Sequence, residues 1–292
     1  YDEDGNISAL SVYDSYWGES TDYTFEYNED GTIASSTMTY TGYWGDETTT
    51  TESYDYDADG NIILTTTYED SDNDGFYDYM SSSGSSYDAD GNLTHEEYSS
   101  GYDYDGDGEW DDASGWSYSY EYDENGWLIS ESSSDWYDYE WDASYSTQST
   151  DYTYDEDGNL ISQTSSTTSS SDWDGDGELD EEFTYSYSVE YDENGNVLSE
   201  SSYDSSVGGW EDYYSDSSTN FTYDEDGNLL SETQSSTYAS DWDGDGVWDS
   251  ESSSSYTYEY DENGNVLSES STSSSEDSSW SYGTNYEYDA DG

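Results

Sequence analysis

Aromatic and small polar residues alternate along much of the chain. In the segment 184–191 (TYSYSVEY) every second residue is Tyr or Val, and the same spacing of rings recurs in 116–122 and 256–260. A period of two places alternate side chains on one face of a β-strand. The sequence therefore predicts strands that carry a row of aromatic rings on one face.

A short phrase of the form Tyr-[Asp/Asn]-x-[Asp/Asn]-Gly ends these strands, and an aliphatic pair such as Val197-Leu198 follows it. Asp, Asn and Gly in this order suit a type I turn followed by a glycine in the left-handed region. With a three-residue loop, Asp192 would face Asn196 and Tyr191 would face Val197. The phrase thus predicts a β-hairpin with an aromatic–aliphatic cross-strand pair. Its copies begin at Tyr1, Tyr27, Tyr56, Tyr87, Tyr122, Tyr154, Tyr191, Tyr223, Tyr260 and Tyr288, and Tyr102 begins a further match that lies inside an acidic loop.

The recurrence of this phrase indicates a repeat protein. We expect residues 1–292 to form one continuous array of about nine units of roughly 32 residues, with a second connection in each unit that sends the chain back. Asp103, Asp172 and Asp241 are spaced 69 residues apart, so the later units repeat in pairs. Because the sequence begins and ends at the same phase of the repeat, we expect a segment of a longer array. The predicted fold is all-β: tandem antiparallel β-hairpins in an extended β-strip or solenoid-like fibre.

Segments 152–162 (YTYDEDGNLIS) and 258–268 (YEYDENGNVLS) resemble the YD repeats of the Rhs and teneurin families. The resemblance covers about ten residues around each phrase. It implies β-hairpins wound into a long strip, which closes into a hollow shell in the large toxins of those families. This chain differs in its Ser/Thr-rich strands, in its acidic loops and in its lack of basic residues.

The charge of the chain excludes several functions. There are 75 acidic residues, no Lys, no Arg and one His, which gives a formal net charge of −75. Phosphate groups therefore find no basic partner, so we expect no nucleic-acid binding and no docking on an anionic membrane. No stretch is apolar enough for membrane insertion. Cys is absent, so metal ions, repetition or self-association must stabilise the fold.

An acidic motif, D-x-D-x-D-G-x-x-D, occurs four times and predicts metal loops. Carboxylates at positions 1, 3 and 5 can surround one ion, and a glycine at position 6 allows the sharp turn that directs the carbonyl of position 7 inward. The Asp at position 9 adds another oxygen, directly or through water. The predicted ligands are Asp70, Asp72, Asp74 and Asp78; Asp103, Asp105, Asp107 and Asp111; Asp172, Asp174, Asp176 and Asp180; and Asp241, Asp243, Asp245 and Asp249.

Calcium is the ion we expect, because Ca²⁺ prefers oxygen ligands in a flexible shell, whereas Mg²⁺ requires a tighter octahedral one. An EF-hand would close with a Glu at position 12, but Ser81, Ser114, Phe183 and Ser252 stand there. The motif is more similar to the calcium loops of thrombospondin type 3 repeats. The alternative is a solvated acidic turn. The Tyr-Asp-x-Asp-Gly turns also carry carboxylates, which ordinary turn chemistry explains and a secondary ion site would also explain.

Catalytic motifs are weak in this chain. His95 has no Cys or Lys to act with, so a nucleophilic triad or a zinc site lacks parts. A glycosidase needs one special carboxylate pair in a cleft, which a repeat array does not offer. We therefore expect no enzyme activity and treat His95 as a surface residue.

Together these patterns predict a secreted, extracellular or cell-surface structural or adhesive fibre, stabilised by Ca²⁺, from a microbe in a saline or calcium-rich environment. We expect self-association into filaments. The Ser/Thr runs serve as strand residues or carry O-glycans. The alternatives are a shell fragment of a secreted toxin of the Rhs type and a calcium-buffering or mineral-templating matrix protein.

Overall fold

A computed structural model of the chain describes residues 1–139, 142–208 and 212–288. The chain divides into two compact units, Tyr1–Tyr120 with Ser133–Ala143 and Glu121–Ser132 with Ser144–Gly292. Within the described residues every regular element is a β-strand. No helix there is long and apolar enough to cross a membrane. The all-β prediction is confirmed.

The first unit contains seven complete strands. They are β1 (Ala9–Asp14), β2 (Glu19–Tyr27), β3 (Ile33–Thr41), β4 (Glu47–Tyr56), β5 (Ile62–Asp70), β6 (Tyr79–Tyr87) and β7 (Leu93–Tyr102). Three strands contribute residues to both units: β8 (Asp112–Tyr122), β9 (Leu128–Tyr139) and β10 (Asp142–Tyr154). The second unit holds β11 (Leu160–Asp172), β12 (Glu181–Tyr191), β13 (Val197–Gly208), β14 (Asp212–Tyr223), β15 (Leu229–Asp241), β16 (Ser250–Tyr260), β17 (Val266–Ser275) and β18 (Ser278–Asn285).

Strands that follow one another in sequence pair antiparallel, from β1 to β8 in the first unit and from β11 to β18 in the second. Each unit is therefore a meander of tandem hairpins, as predicted. In such a meander the Tyr-Asp-x-Asp-Gly turns all lie at one end of the strands, and the other connections lie at the opposite end. The tenth phrase, which begins at Tyr288, continues outside the described residues.

The turns have the predicted register. Tyr191 pairs with Val197, and the amide of Asp192 donates to the carbonyl of Asn196 at 2.9 Å. Gly195 has φ +83°, and its amide donates to the carbonyl of Asp192, as in a type I turn followed by a left-handed glycine. A β-bulge, which the sequence did not predict, also lies beside the turn tyrosine in hairpins β2–β3, β4–β5, β6–β7, β12–β13, β14–β15 and β16–β17.

The tyrosine of the phrase also connects consecutive hairpins. The hydroxyl of Tyr154 donates to the carbonyl of Leu128, which lies just after the preceding turn, at 3.0 Å. Tyr56 does the same to Ile33 at 2.9 Å. A tyrosine therefore supplies both a ring for cross-strand packing and a hydrogen bond to the neighbouring unit.

Little of the sheet is covered by other parts of the chain. Among the hydrophobic residues that the structure describes, only Val189 (2% exposed) and Ala239 (0%) are fully buried. Ser and Thr hydroxyls bond across strands instead, as in Ser202 with Ser217 at 2.8 Å. Such pairs and aromatic contacts stabilise the hairpins one pair at a time, and no large hydrophobic core lies among the described residues.

Candidate metal loops

The four acidic motifs form four similar loops, each connecting two strands at the end opposite to the Tyr-Asp-x-Asp-Gly turns. We name them loop A (70–78, between β5 and β6), loop B (103–111, between β7 and β8), loop C (172–180, between β11 and β12) and loop D (241–249, between β15 and β16). In each loop the amide of position 9 donates a hydrogen bond of 2.8 Å to the carbonyl of the residue before position 1. This bond closes the loop and holds its first and last ligands beside each other at the end of the strands.

The first Asp of each loop is buried. Asp70, Asp103, Asp172 and Asp241 are 6%, 2%, 7% and 2% exposed. One carboxylate oxygen of each accepts the amide of the position-6 glycine at 2.8–3.0 Å. That glycine has positive φ in every loop, from +81° to +96°. The predicted sharp turn at position 6 is therefore present, and its amide reaches the predicted first ligand.

Three of the four predicted ligands come together in every loop. Positions 1, 3 and 9 each offer a carboxylate oxygen, and within a loop these oxygens all lie within 4.8 Å of one another. Position 9 is oriented by its second role, in which it accepts the amide of position 2 at 2.5–2.7 Å. The groups are Asp70, Asp72 and Asp78; Asp103, Asp105 and Asp111; Asp172, Asp174 and Asp180; and Asp241, Asp243 and Asp249.

The fourth predicted ligand, at position 5, is not part of these groups. One carboxylate oxygen of each position-5 residue accepts the amide of position 7 at 2.8–2.9 Å. This bond shapes the turn after the glycine. A ligand role for Asp74, Asp107, Asp176 and Asp245 stays a prediction.

The loops concentrate negative charge. Two carboxylates 4.8 Å apart repel each other by about 0.9 kcal/mol even at the dielectric constant of water. Burial opposes ionisation of Asp241, but hydrogen bonds from the amides of Gly246, Gly244, Asp243 and Asp245 outweigh burial and lower its pKa. The sequence has no Lys or Arg to neutralise these charges. An oxygen-only donor set of three carboxylates fits a hard divalent cation.

Loop A differs from the others at position 4. Loops B, C and D have glycine there, and its amide donates to the second oxygen of the position-1 Asp at 2.7–2.8 Å. Loop A has Asn73 at φ +60° instead. The Oδ1 atom of Asp70 is consequently buried without a hydrogen-bond partner. A buried carboxylate oxygen without a partner is costly, and a bound cation would remove that cost.

Loops A and B are in direct contact, which sequence analysis missed. The amide of Asp103 donates to the carbonyl of Asp78 at 3.0 Å. The ring of Phe76 lies against Gly108, where a Cβ would be 3.7 Å from it. A cleft of about 490 Å³ lies beside this contact, and Tyr79 and Tyr102 contribute to its lining. The sequence held one signal of this contact: the motifs of loops A and B begin 33 residues apart, whereas successive later motifs begin 69 residues apart.

The Tyr-Asp-x-Asp-Gly turns use their carboxylates differently. One oxygen of Asp192 accepts the amides of Asn194 and Asn196 at 2.9 and 2.8 Å, and the other accepts the side-chain amide of Asn196 at 2.8 Å. The side-chain bond from Asn196 and the backbone bonds lower the pKa of Asp192 despite its partial burial. The same lowering of the pKa by the following Asn occurs at Asp2, Asp57, Asp88, Asp155, Asp224 and Asp261. These turn aspartates have the geometry expected from turn chemistry.

His95 lies on β7. One ring nitrogen is 3.0 Å from the hydroxyl of Ser119, and the other is 3.5 Å from a carboxylate oxygen of Glu97. These contacts fit the predicted surface histidine.

Comparisons with known proteins add one family match. The model of a MORN repeat variant matches residues 188–205, which span the turn between β12 and β13. This match and the tandem hairpins fit a β-repeat protein, while membership of the YD-repeat or thrombospondin type 3 families is not established. No curated protein matches the chain. A porin-like protein from Bacteroides uniformis is similar over 95% of this chain and 93% of its own, at 13% identity and a TM-score of 0.15, which supports no inference.

Proposed function

We propose that loops A to D bind Ca²⁺ and that this binding stabilises a non-enzymatic structural or adhesive protein. One observation carries the proposal: each loop buries its first carboxylate and brings two more to within 4.8 Å of it. The sequence contains no Lys or Arg that would compensate these charges. A divalent cation bound between these carboxylates would supply the missing positive charge.

Calcium suits the loops better than magnesium. Ca²⁺ accepts six to eight oxygens in variable geometry, so three carboxylates can be completed by carbonyl groups and water. Mg²⁺ demands a near-ideal octahedron and gives up its water reluctantly. Each loop filled at a hundredfold excess of calcium over its dissociation constant would stabilise the fold by about 2.7 kcal/mol. A contribution of this size is a large share of a typical folding free energy. It matters more in this fold because little hydrophobic surface is buried.

The repeat architecture supports the structural part of the proposal. Similar loops recur along the chain, whereas an active site needs one special group of residues. We place the protein outside the cell, on a microbial surface or in its matrix, in saline or calcium-rich surroundings. Screening by salt would reduce the repulsion of a chain with a net charge of −75. We further propose that copies associate into filaments, that YD-type hairpins form the strip, and that exposed Ser and Thr residues accept O-glycans.

Circular dichroism and electron microscopy test the proposal on the full chain in high-salt buffer. We expect a β-sheet spectrum and filaments with calcium, and loss of both after EGTA is added. Magnesium at the same concentration is the control for general screening by a divalent ion. A matched variant with Asp→Asn at position 1 of all four loops should resemble the EGTA sample even in calcium.

The outcomes separate the proposal from its rivals. Unchanged spectra and filaments in EGTA would refute the stabilising role of calcium. A closed hollow particle would instead favour a toxin-type shell. A chain that folds with calcium but never assembles would favour a soluble calcium buffer or mineral template.

A further inference from the structure

We infer that loops A and B form one coupled two-ion centre, in which binding at one loop strengthens binding at the other, whereas loops C and D bind independently. This inference rests on the proposed calcium binding. It adds which sites communicate and which site fills first.

The coupling runs through one peptide contact. Asp78 is the position-9 ligand of loop A, and Asp103 is the position-1 ligand of loop B. The amide of Asp103 donates to the carbonyl of Asp78 at 3.0 Å. An ion that fixes Asp78 in loop A therefore also fixes the acceptor that positions the buried first ligand of loop B.

Side chains extend the contact from the ligands to the turns. Phe76 of loop A packs against Gly108, the glycine whose amide bonds to Asp103 at 2.8 Å. The carboxylate of Asp74 approaches Gly106, where a Cβ would lie 3.7 Å from it. Gly106 donates its amide to the other oxygen of Asp103 at 2.7 Å. Both donors that hold the first ligand of loop B therefore lie close to side chains of loop A.

Loop A is the loop that fills first. The Oδ1 atom of Asp70 is buried without a partner, while the matching oxygen in the other loops accepts a glycine amide. An ion in loop A would relieve a cost that the other loops do not carry. Its binding free energy is correspondingly more favourable.

The spacing of the loops explains why the coupling is confined to one pair. Loops A and B are successive connections at the same end of the strands. They are separated by two strand spacings, a distance of about 10 Å. Loops C and D are four strands or about 19 Å apart, with the connection between β13 and β14 between them. At physiological salt the screening length is about 8 Å, so repulsion between ions in loops A and B is weakened. An ion in one loop then orders the contact that the other loop also uses, so the second ion meets a smaller entropic cost and the coupling is positive.

Residue-level calcium titrations test the inference on the full chain labelled with ¹⁵N-glycine. The position-6 glycine amide bonds to the first ligand in every loop, so it reports the occupancy of its own loop. These reporters are Gly75, Gly108, Gly177 and Gly246. Two matched variants remove an exposed position-3 ligand, Asp72→Asn in loop A and Asp174→Asn in loop C.

Asp72→Asn should raise the calcium midpoint of Gly75 and also that of Gly108, the latter by about tenfold, a typical coupling between sites. Asp174→Asn should raise the midpoint of Gly177 and leave Gly246 unchanged. Because loop A fills first, loop B is still largely empty while Gly75 titrates, so Asp105→Asn in loop B should raise the midpoint of Gly75 by a smaller factor than Asp72→Asn raises that of Gly108.

Three results would overturn the inference. If Asp72→Asn shifts Gly75 but not Gly108, the loops are independent while calcium binding itself stands. If Asp174→Asn also shifts Gly246, the coupling does not depend on the contact between loops A and B. If no glycine amide responds to calcium, the proposed function fails and the inference fails with it.

Discussion

A single substitution in loop C separates the effect of calcium from the effect of hydrogen bonding. Asp172 accepts the amides of Gly175 and Gly177 at 2.7 and 2.8 Å, and it belongs to a three-carboxylate group. Asp192, in the next turn along the chain, also accepts several amide bonds but belongs to no such group among the described residues. Asp172→Asn and Asp192→Asn therefore remove similar bonds, but only the first removes a proposed metal ligand.

The magnitude follows from linkage. At a hundredfold excess over its dissociation constant, calcium bound as proposed in one loop would stabilise the fold by about 2.7 kcal/mol. For 292 residues with an unfolding entropy of about 2.1 cal/mol/K each, that free energy corresponds to roughly 4–5 °C in melting temperature. We expect Asp172→Asn to reduce the difference in melting temperature between calcium and EGTA by this amount, and Asp192→Asn to leave that difference intact.

Thermal unfolding followed by circular dichroism, with and without calcium, measures both differences on the same samples. In EGTA both variants lose charge-assisted bonds, but Asp172→Asn also relieves repulsion within its three-carboxylate group, so it should melt above Asp192→Asn. The reasoning is refuted if Asp172→Asn keeps the full calcium-dependent difference, or if Asp192→Asn loses as much of it.

Three further predictions concern the hairpins. Gly158→Ala should destabilise the fold more than Gly195→Ala in urea unfolding. Both glycines have φ above +80°, where an alanine costs about 1–2 kcal/mol. Only at Gly158 would the new Cβ also lie 2.6 Å from the Trp127 ring, which adds about 1–3 kcal/mol, so equal losses would contradict the clash. Tyr154→Phe should cost about 0.5–1.5 kcal/mol in the same assay, because it removes the bond to the preceding hairpin, and an unchanged urea midpoint would argue against that bond. The pKa of Asp192 is lowered in the fold, so its contribution should be present above its unfolded pKa and be lost as pH falls through the folded one. The difference in unfolding free energy between the unsubstituted chain and Asp192→Asn should therefore shrink below about pH 4, and a difference that is constant from pH 7 to pH 2 would contradict the assignment.

The sequence by itself determined the local structure. Alternating rings, the five-residue turn phrase and its glycine predict strands, turn type and the pairing of Tyr191 with Val197, because all of these depend on residues close together in the chain. Inside the acidic loops the position-6 glycine adopts the predicted sharp turn, and the carboxylates at positions 1, 3 and 9 lie within 4.8 Å of one another.

Only the tertiary structure decided how loops relate to each other and to solvent. The pairing of β6 with β7 places Asp78 beside Asp103, and no pattern within either loop encodes that contact. The burial of the position-1 carboxylates and the isolated oxygen of Asp70 likewise appear only when the loops are seated on the sheet. The physical reason is range: turn and strand preferences act over a few residues, whereas burial and loop contact depend on which strands become neighbours.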